Sequence, residues 1–388
     1  MFRISTLNKI AACGLDRLPH DNYDIASDLP NPDGIIVRSA KMHDMELPAS
    51  LKAIARAGAG TNNIPIDLCS EKGIVVFNTP GANANAVKEL VLAALLLSCR
   101  KIYRGIVWAN SLAGKGDEIP KLVESGKKDF VGKELKGKTL GIIGLGAIGV
   151  AVANDALSLG MNVLGFDPYL SVDAAWGLSS SVRKAKSLDH IFSEADFITI
   201  HVPLTDSTKG LINKEKLSIM KKGVAILNLS RGGIVNNVDI INAINEAKVS
   251  RYITDFPEEE LLGIDNIICI PHLGASTDEA EDNCAIMAAD ELKDFLENGN
   301  IKNSVNFPNT ELALAEGNSR LTIINKNVPN MVAQITTLLA SKNLNITDMI
   351  NKNKGDYAYN ILNIQGELSA QIVDELLKID GIVKARII

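Results

Sequence analysis

Short apolar runs separated by helical stretches of mixed polarity recur early in the chain, at Phe2 to Thr6, Gly34 to Val37, Ala53 to Ala57 and Ile74 to Phe77. This cadence predicts an open α/β layer with a parallel sheet. A long apolar helix is expected from Asn85 to about Tyr103, followed by a polar loop rich in Gly and Lys up to Lys138. From Thr139 the cadence restarts, with strands expected near 140–143, 162–166, 197–201, 224–228, 251–254 and 266–270, a complete doubly wound sheet of six. An amphipathic helix from Cys284 to Glu297 closes at Asn298-Gly299-Asn300, and the chain then returns to the first layer through Val305 and Phe307. Past Asn309 the order becomes strand (320–325), helix (329–344), two strands around Gly355-Asp356, helix (370–378) and strand (382–388). That βαββαβ order is ferredoxin-like.

The expected fold class is α/β: two Rossmann-like or flavodoxin-like parallel-sheet domains plus a C-terminal ferredoxin-like module. The expected boundaries are a discontinuous first domain at 1–95 and 285–308, a nucleotide-binding domain at 96–284 and the module at 318–388, tied on by the polar segment Asn309 to Asn318. At 388 residues and 46% hydrophobic content the chain can bury several cores. Its net charge of −6 is spread along the sequence, which argues against nucleic acid or an anionic membrane as partner. The longest apolar stretch, Leu90 to Cys99, falls short of the roughly 20 residues a membrane span needs. The N-terminus reads as a first strand with no apolar signal core, so a cytoplasmic location is expected. Cys13, Cys69, Cys99, Cys269 and Cys284 are odd in number and widely spaced, which suits reduced thiols, and no metal site is expected.

Candidate chemistry begins at Leu140-Gly-Ile-Ile-Gly-Leu-Gly-Ala-Ile-Gly149. Gly144 permits a tight turn, Gly146 lets backbone N–H groups approach a pyrophosphate at a helix N-terminus, and Gly149 lets that helix lie close on the strand. A lone GxGxxG is weak evidence. Here the strand before it, the helix after it, and Asp167 at the tip of the next strand stand where a dinucleotide fingerprint needs them. Asp167 accepts ribose hydroxyls and repels a 2′-phosphate, which favours NAD.

Ligands of open α/β sheets bind beyond the carboxyl ends of strands. Strand four of the nucleotide unit runs into Asn228-Leu229-Ser230-Arg231-Gly232-Gly233, strand five ends at Asp255, and strand six runs into Pro271-His272-Leu273-Gly274-Ala275. Oxidation of a 2-hydroxy acid needs a proton acceptor on the hydroxyl and a cation for the carboxylate. His272 is the candidate acid–base and Arg231 the bidentate cation. A lone histidine after a strand is commonly a satisfied structural residue; its place after the sixth strand favours the catalytic role. Glu260 is the preferred carboxylate partner of His272, in a run Glu258-Glu259-Glu260 that would ordinarily be solvated loop.

These residues resemble the D-isomer-specific 2-hydroxyacid dehydrogenases. The resemblance rests on the fingerprint and on Ile36-Val37-Arg38-Ser39-Ala40, Arg56-Ala57-Gly58-Ala59-Gly60-Thr61-Asn62-Asn63, Asn78-Thr79-Pro80-Gly81-Ala82-Asn83, Ser230-Arg231-Gly232-Gly233-Ile234-Val235 and Pro271-His272-Leu273-Gly274-Ala275-Ser276-Thr277. It implies Arg231, Glu260 and His272 as the catalytic set. It also implies cofactor contacts at Ala147, Ile148, Asp167, Leu229, Ser230, Arg231, Asp255 and His272 to Ala275. Substrate contacts fall on Arg38, Ser39, Arg56 and Asn83, the arginines engaging a phosphate. The implied reaction is oxidation of 3-phospho-D-glycerate by NAD, with a hydroxypyruvate, glyoxylate or D-lactate reductase on the same scaffold, or an NAD-sensing corepressor, as alternatives. Homodimers or homotetramers are implied.

The loop Asp255-Phe256-Pro257-Glu258-Glu259-Glu260-Leu261 departs from the family pattern: counting five residues from Asp255 gives Glu260, whereas anchoring on Phe256-Pro257 gives Glu259. Val202 follows His201 where some relatives carry a threonine that touches the cofactor. The C-terminal module resembles an ACT domain, which implies an amino-acid effector such as L-serine near Asn325, Asn327 and Asn345. Asn330 stands where such modules usually have glycine.

Overall fold

A computed structural model describes residues 1–314 and 317–388; the expected linker Asn309 to Asn318 thus lies partly outside the described residues. The chain divides into two compact units, Met1–Asn83 with Asp278–Ile388, and Ala84–Thr277. The exchanges fall at 83/84 and 277/278, where the sequence suggested 95/96 and 284/285. The whole helix Ala84–Cys99 goes with the second unit because Val87, Val91, Ala94 and Leu95 pack into the core formed by Leu140, Ile142 and Val152.

The first unit begins with a parallel sheet of β1 (Phe2–Leu7), β2 (Tyr23–Ala26), β3 (Gly34–Val37), β4 (Ala53–Arg56) and β5 (Val75–Asn78), in the order β2-β1-β3-β4-β5. Strand β2 was not expected. It is an edge strand whose Asp24 and Ala26 are exposed, so it lacks the continuous apolar run of β3. The 21-residue helix Asp278–Asn298 covers the sheet, burying Cys284, Ala285, Ala288, Leu292 and Phe295 against Ile4, Ile36, Ala55 and Val75.

The second unit holds β6 (Thr139–Ile143), β7 (Asn162–Phe166), β8 (Arg183–Lys184), β9 (Phe197–Ile200), β10 (Val224–Asn228), β11 (Val249–Thr254) and β12 (Ile267–Cys269), parallel throughout and ordered β12-β11-β10-β9-β6-β7-β8. The topological switch lies beside β6, where the fingerprint follows. The stretch expected as a polar loop carries two helices, Ile102–Asn110 and Ile119–Gly126. Neither buries a residue: the apolar residues of the first, Ile102, Tyr103, Ile106 and Val107, are exposed, and Gly and Lys around the two helices gave the stretch its loop-like composition.

The C-terminal strands β13 (Asn318–Lys326), β14 (Ile346–Lys354), β15 (Tyr357–Gln365) and β16 (Ile382–Ile387) form an antiparallel sheet in the order β14-β15-β13-β16, the expected ferredoxin-like topology. Leu321, Ile323, Leu362 and Ile364 face the two helices of the module. Ile324, Tyr359 and Ile361 on the opposite face join the core of the first unit, so the module shares a core with that unit. Arg320 is 1% exposed and donates to the carbonyls of Asn298 and Leu312 at 2.6 Å and to Asn363 Oδ1 at 3.1 Å. Tyr359 Oη donates to the Gly299 carbonyl at 2.6 Å. The Asn298 and Gly299 carbonyls stand at the end of the long helix, where such groups otherwise lack partners. Asn330, before the helix Met331–Ser341, has φ 72° and ψ 0°, a left-handed conformation that Asn tolerates better than most residues.

Among the described residues no helix is long and apolar enough to cross a membrane. All five cysteines are free thiols.

Candidate functional site

The fingerprint is built as its spacing requires. Gly144 has φ +92°, and a Cβ there would lie 2.6 Å from the His201 carbonyl oxygen; a Cβ on Gly149 would lie 2.0 Å from the Gly144 oxygen. A Cβ on Gly146 would meet nothing within 4 Å, so the backbone there borders open space. Gly146 is the N-cap of the helix Ala147–Ser158 and no side chain caps that end. Ala147, Ile148 and Gly149 form its first turn, and their N–H groups remain for an anion. Asp167 is pinned at the end of β7: Oδ2 accepts from Leu145 N–H and Oδ1 from Tyr169 N–H, both at 2.8 Å. Each carboxylate oxygen keeps a further lone pair for a ribose hydroxyl. The residues present fit a dinucleotide.

In the same unit, the ends of β10, β11 and β12 supply a second group. After Leu229, Asn228 organises the turn: its Nδ2 donates to the Arg231 carbonyl at 2.8 Å and its Oδ1 accepts from Ser230 Oγ at 2.9 Å. The Arg231 side chain is exposed and its Nη1 donates to the Ser230 carbonyl at 2.7 Å. Asp255 is 2% exposed, and its Oδ1 is buried with no partner. Burial pushes the Asp255 carboxyl upward, and the nearby charges of His272 and Arg231 pull it back, so the three lie within electrostatic reach. A Cβ on Gly274 would lie 3.9 Å from Asp255 Oδ2, which places the Leu273-Gly274-Ala275 loop against that carboxylate.

His272 is exposed, and its ring meets Phe256 edge to face with centroids 4.8 Å apart. Phe256 also lies 3.6 Å from where a Cβ of Gly232 would be. Glu259 and Glu260 are exposed in the short 3-10 helix Glu259–Leu261. Among the described residues neither glutamate is hydrogen-bonded to His272. Arg231, Asp255 and His272 thus lie within electrostatic reach of one another, while Glu259 and Glu260 are exposed. Phe256 as the neighbour of His272 escaped sequence reading; its place directly after Asp255 was the available signal.

In the first unit, Arg38 and Arg56 stand at the ends of β3 and β4. Arg56 Nε donates to the Arg38 carbonyl at 3.1 Å. A Cβ on Gly58 would lie 1.7 Å from Arg56 Nη1, so only glycine leaves room for that guanidinium. The backbone N–H groups of Ser39 and Ala40 donate to Asn8 Oδ1 at 3.0 and 2.7 Å, with Asn8 in a left-handed conformation. Asn83 lies in the turn after β5. Arg38 Nη2 is paired at 2.5 Å with Glu281 Oε1, from the first turn of the helix Asp278–Asn298. Glu281 was not singled out in the sequence; it is one of three acids in that turn, and an acidic first turn reads as ordinary helix-end chemistry.

In the C-terminal module, Asn325 is 2% exposed; its Oδ1 accepts from Asn360 Nδ2 at 2.7 Å and its Nδ2 donates to the Lys326 carbonyl at 2.7 Å. Asn325 is thus turned into the protein. Asn327 and Asn345 are exposed, donating to the Gly355 carbonyl at 3.2 Å and to Gln365 Oε1 at 3.1 Å.

Comparison with known proteins agrees with this architecture. Residues 92–274 match the family described as D-isomer specific 2-hydroxyacid dehydrogenase, NAD binding domain. The chain is 37% identical over 295 residues to D-3-phosphoglycerate dehydrogenase of Methanocaldococcus jannaschii, covering 74% of this chain and 54% of that one. It is 39% identical over 276 residues to hydroxypyruvate reductase of Thermotoga maritima, covering 68% and 85%. The chain spans about half the length of the D-3-phosphoglycerate dehydrogenases it matches first. Among solved structures, NAD-bound 3-phosphoglycerate dehydrogenase of Entamoeba histolytica superposes with a TM-score of 0.60 at 27% identity, covering 79% of this chain and 98% of that one.

Proposed function

This chain belongs to the D-isomer specific 2-hydroxyacid dehydrogenase family, and we propose that it oxidises 3-phospho-D-glycerate to 3-phosphooxypyruvate, a step toward serine. The observation that carries this choice of substrate is the placing of Arg38 and Arg56 at adjacent strand ends: Arg56 Nε donates to the Arg38 backbone carbonyl, and the charges of both guanidinium groups act on the Cys284 thiol. Two guanidinium groups that close suit a phosphate, whereas a terminal hydroxyl or methyl group has no use for them. NAD, when bound, accepts the hydride removed from C2. The N–H groups at Ala147 and Ile148 would hold its pyrophosphate and Asp167 its ribose, and the unpartnered Asp255 Oδ1 would accept a hydrogen bond from it. His272 takes the proton of the C2 hydroxyl, Arg231 grips the substrate carboxylate, and Glu260 or Glu259 steadies the imidazolium.

Side-by-side oxidation of 3-phosphoglycerate, glycerate and D-lactate tests the substrate. The phosphorylated acid is expected to show the highest kcat/KM. A preference for glycerate would instead favour the hydroxypyruvate reductase reading that the Thermotoga relative raises. His272→Ala should lower kcat by about 10²–10⁴, far more than it weakens NAD affinity; equal loss of both marks a structural histidine.

The same reading extends to a homodimer or homotetramer in the cytoplasm. It also gives the C-terminal module to an effector such as L-serine, for which the exposed Asn327 and Asn345 are better placed than the inward-facing Asn325.

A further inference from the structure

The nucleotide-binding unit holds another concave site, at the opposite end of its strands from the fingerprint. A cavity of about 440 Å³ opens at the amino-terminal ends of β6, β9, β10 and β11. Lys101, Lys133, Lys138, Lys221, Lys222 and Arg251 line it, and among its lining residues Asp196 is the one carboxylate. The whole chain carries −6, so this concentration of cations runs against its overall sign. Asp196 is already committed, accepting from Thr139 N–H at 2.9 Å and from Lys221 Nζ at 3.3 Å.

Lysines at this edge of an α/β unit have a structural use, since helix C-termini there expose carbonyls. Lys248 shows that use, donating to the Ser218 and Met220 carbonyls, and so does Lys101 toward the Asp129 carbonyl. Lys133, Lys138 and Lys222 do not: among the described residues their ammonium groups enter no hydrogen bond or ion pair. Arg251 goes further. It is 7% exposed and donates through Nη1 to Asn266 Oδ1, yet its Nε is buried with no partner. Burial and the charge of Arg104 act against its ionised form, and only the charge of Asp265, itself paired with Arg104 at 3.8 Å, acts for it. A buried cation with an unmet donor, beside three uncommitted lysines, leaves room for a further anion.

We propose that this cavity binds a small, multiply charged oxyanion bearing phosphate or carboxylate groups. The volume falls within the range of metabolite sites, and its concavity suits a compact ligand over an extended polyanion. Arg251 supplies the buried donor and the lysines supply charge.

The test is calorimetric titration of the full chain at low ionic strength, saturated with NADH so that the fingerprint is filled. Inorganic pyrophosphate and citrate are the probes, in separate arms. One saturable site is expected for at least one of them. The double variant K133A/K222A, which alters two exposed lysines, is expected to weaken it at least tenfold while NADH affinity holds. Tighter binding of pyrophosphate identifies a phosphate ligand, and tighter binding of citrate a polycarboxylate. Absence of saturable binding in both arms, or equal affinity in the double variant, overturns the proposal.

Discussion

Replacing Glu281 by Gln removes the carboxylate that Arg38 grips and keeps the shape of the side chain. The contact is 2.5 Å, but the two side chains are 39% and 40% exposed, so solvent screens the pair and its worth is about 0–1 kcal/mol. The cost to folding is therefore at most about 1 kcal/mol. At the site the sign reverses. A substrate phosphate that binds Arg38 must displace Glu281, and losing a competitor worth up to about 1 kcal/mol lowers KM by up to about fivefold. The chemistry is untouched, so kcat should hold. Initial rates against 3-phosphoglycerate concentration, at low salt and at about 0.5 M salt, read both quantities; the gain should shrink at high salt, where the Debye length falls to a few ångströms. An unchanged KM refutes the competition. A raised KM shows that Glu281 orients Arg38 for substrate, and an unchanged KM in Arg38→Met removes Arg38 from the site altogether.

Two further outcomes concern stability. Burial raises the Glu291 carboxyl from 4.5 to about 8, so between those values the folded chain holds a proton that the unfolded chain has released, and stability falls as pH rises through that window. Glu291→Gln should therefore raise the urea midpoint more at pH 8 than at pH 5, and equal shifts at both would refute the assignment. Asn330→Ala should cost about 1 kcal/mol, because alanine at φ 72° crowds its Cβ, while Asn330→Gly should hold stability within a few tenths. A neutral alanine in thermal melts would show that the left-handed turn is not imposed.

The α/β layers were legible because buried parallel strands are short continuous apolar runs, and Gly34-Ile35-Ile36-Val37 and Val224-Ala225-Ile226-Leu227 are buried throughout. What escaped lies at edges and on surfaces. Strand β8 is two exposed residues, Arg183 and Lys184, held by pairing to Leu164 and Gly165, and no periodicity exists over two residues. The docking of the C-terminal module was hidden for another reason. Arg320 reads as a surface residue in a strand, and the carbonyls of Asn298 and Leu312 together with Asn363 Oδ1 make its burial tolerable. Such a partner is supplied by the fold and leaves no trace in local sequence.

The candidate residues show the same division between position and partnership. Strand ends located Arg38 and Arg56 in the first unit and Arg231, Asp255 and His272 in the second, because a parallel sheet delivers its ligand groups there whatever the loop lengths. The glutamate depends on loop length. Phe256 directly follows Asp255 and its ring meets His272 edge to face, so an aromatic residue reaches the imidazole ahead of any carboxylate of the loop. Glu259 and Glu260 then enter a 3-10 helix, where consecutive side chains point about 120° apart. Both are exposed and, among the described residues, neither is hydrogen-bonded to His272. They are the same residue type, so composition could not separate them, and the two ways of counting along the loop, from Asp255 or from Phe256-Pro257, gave different answers.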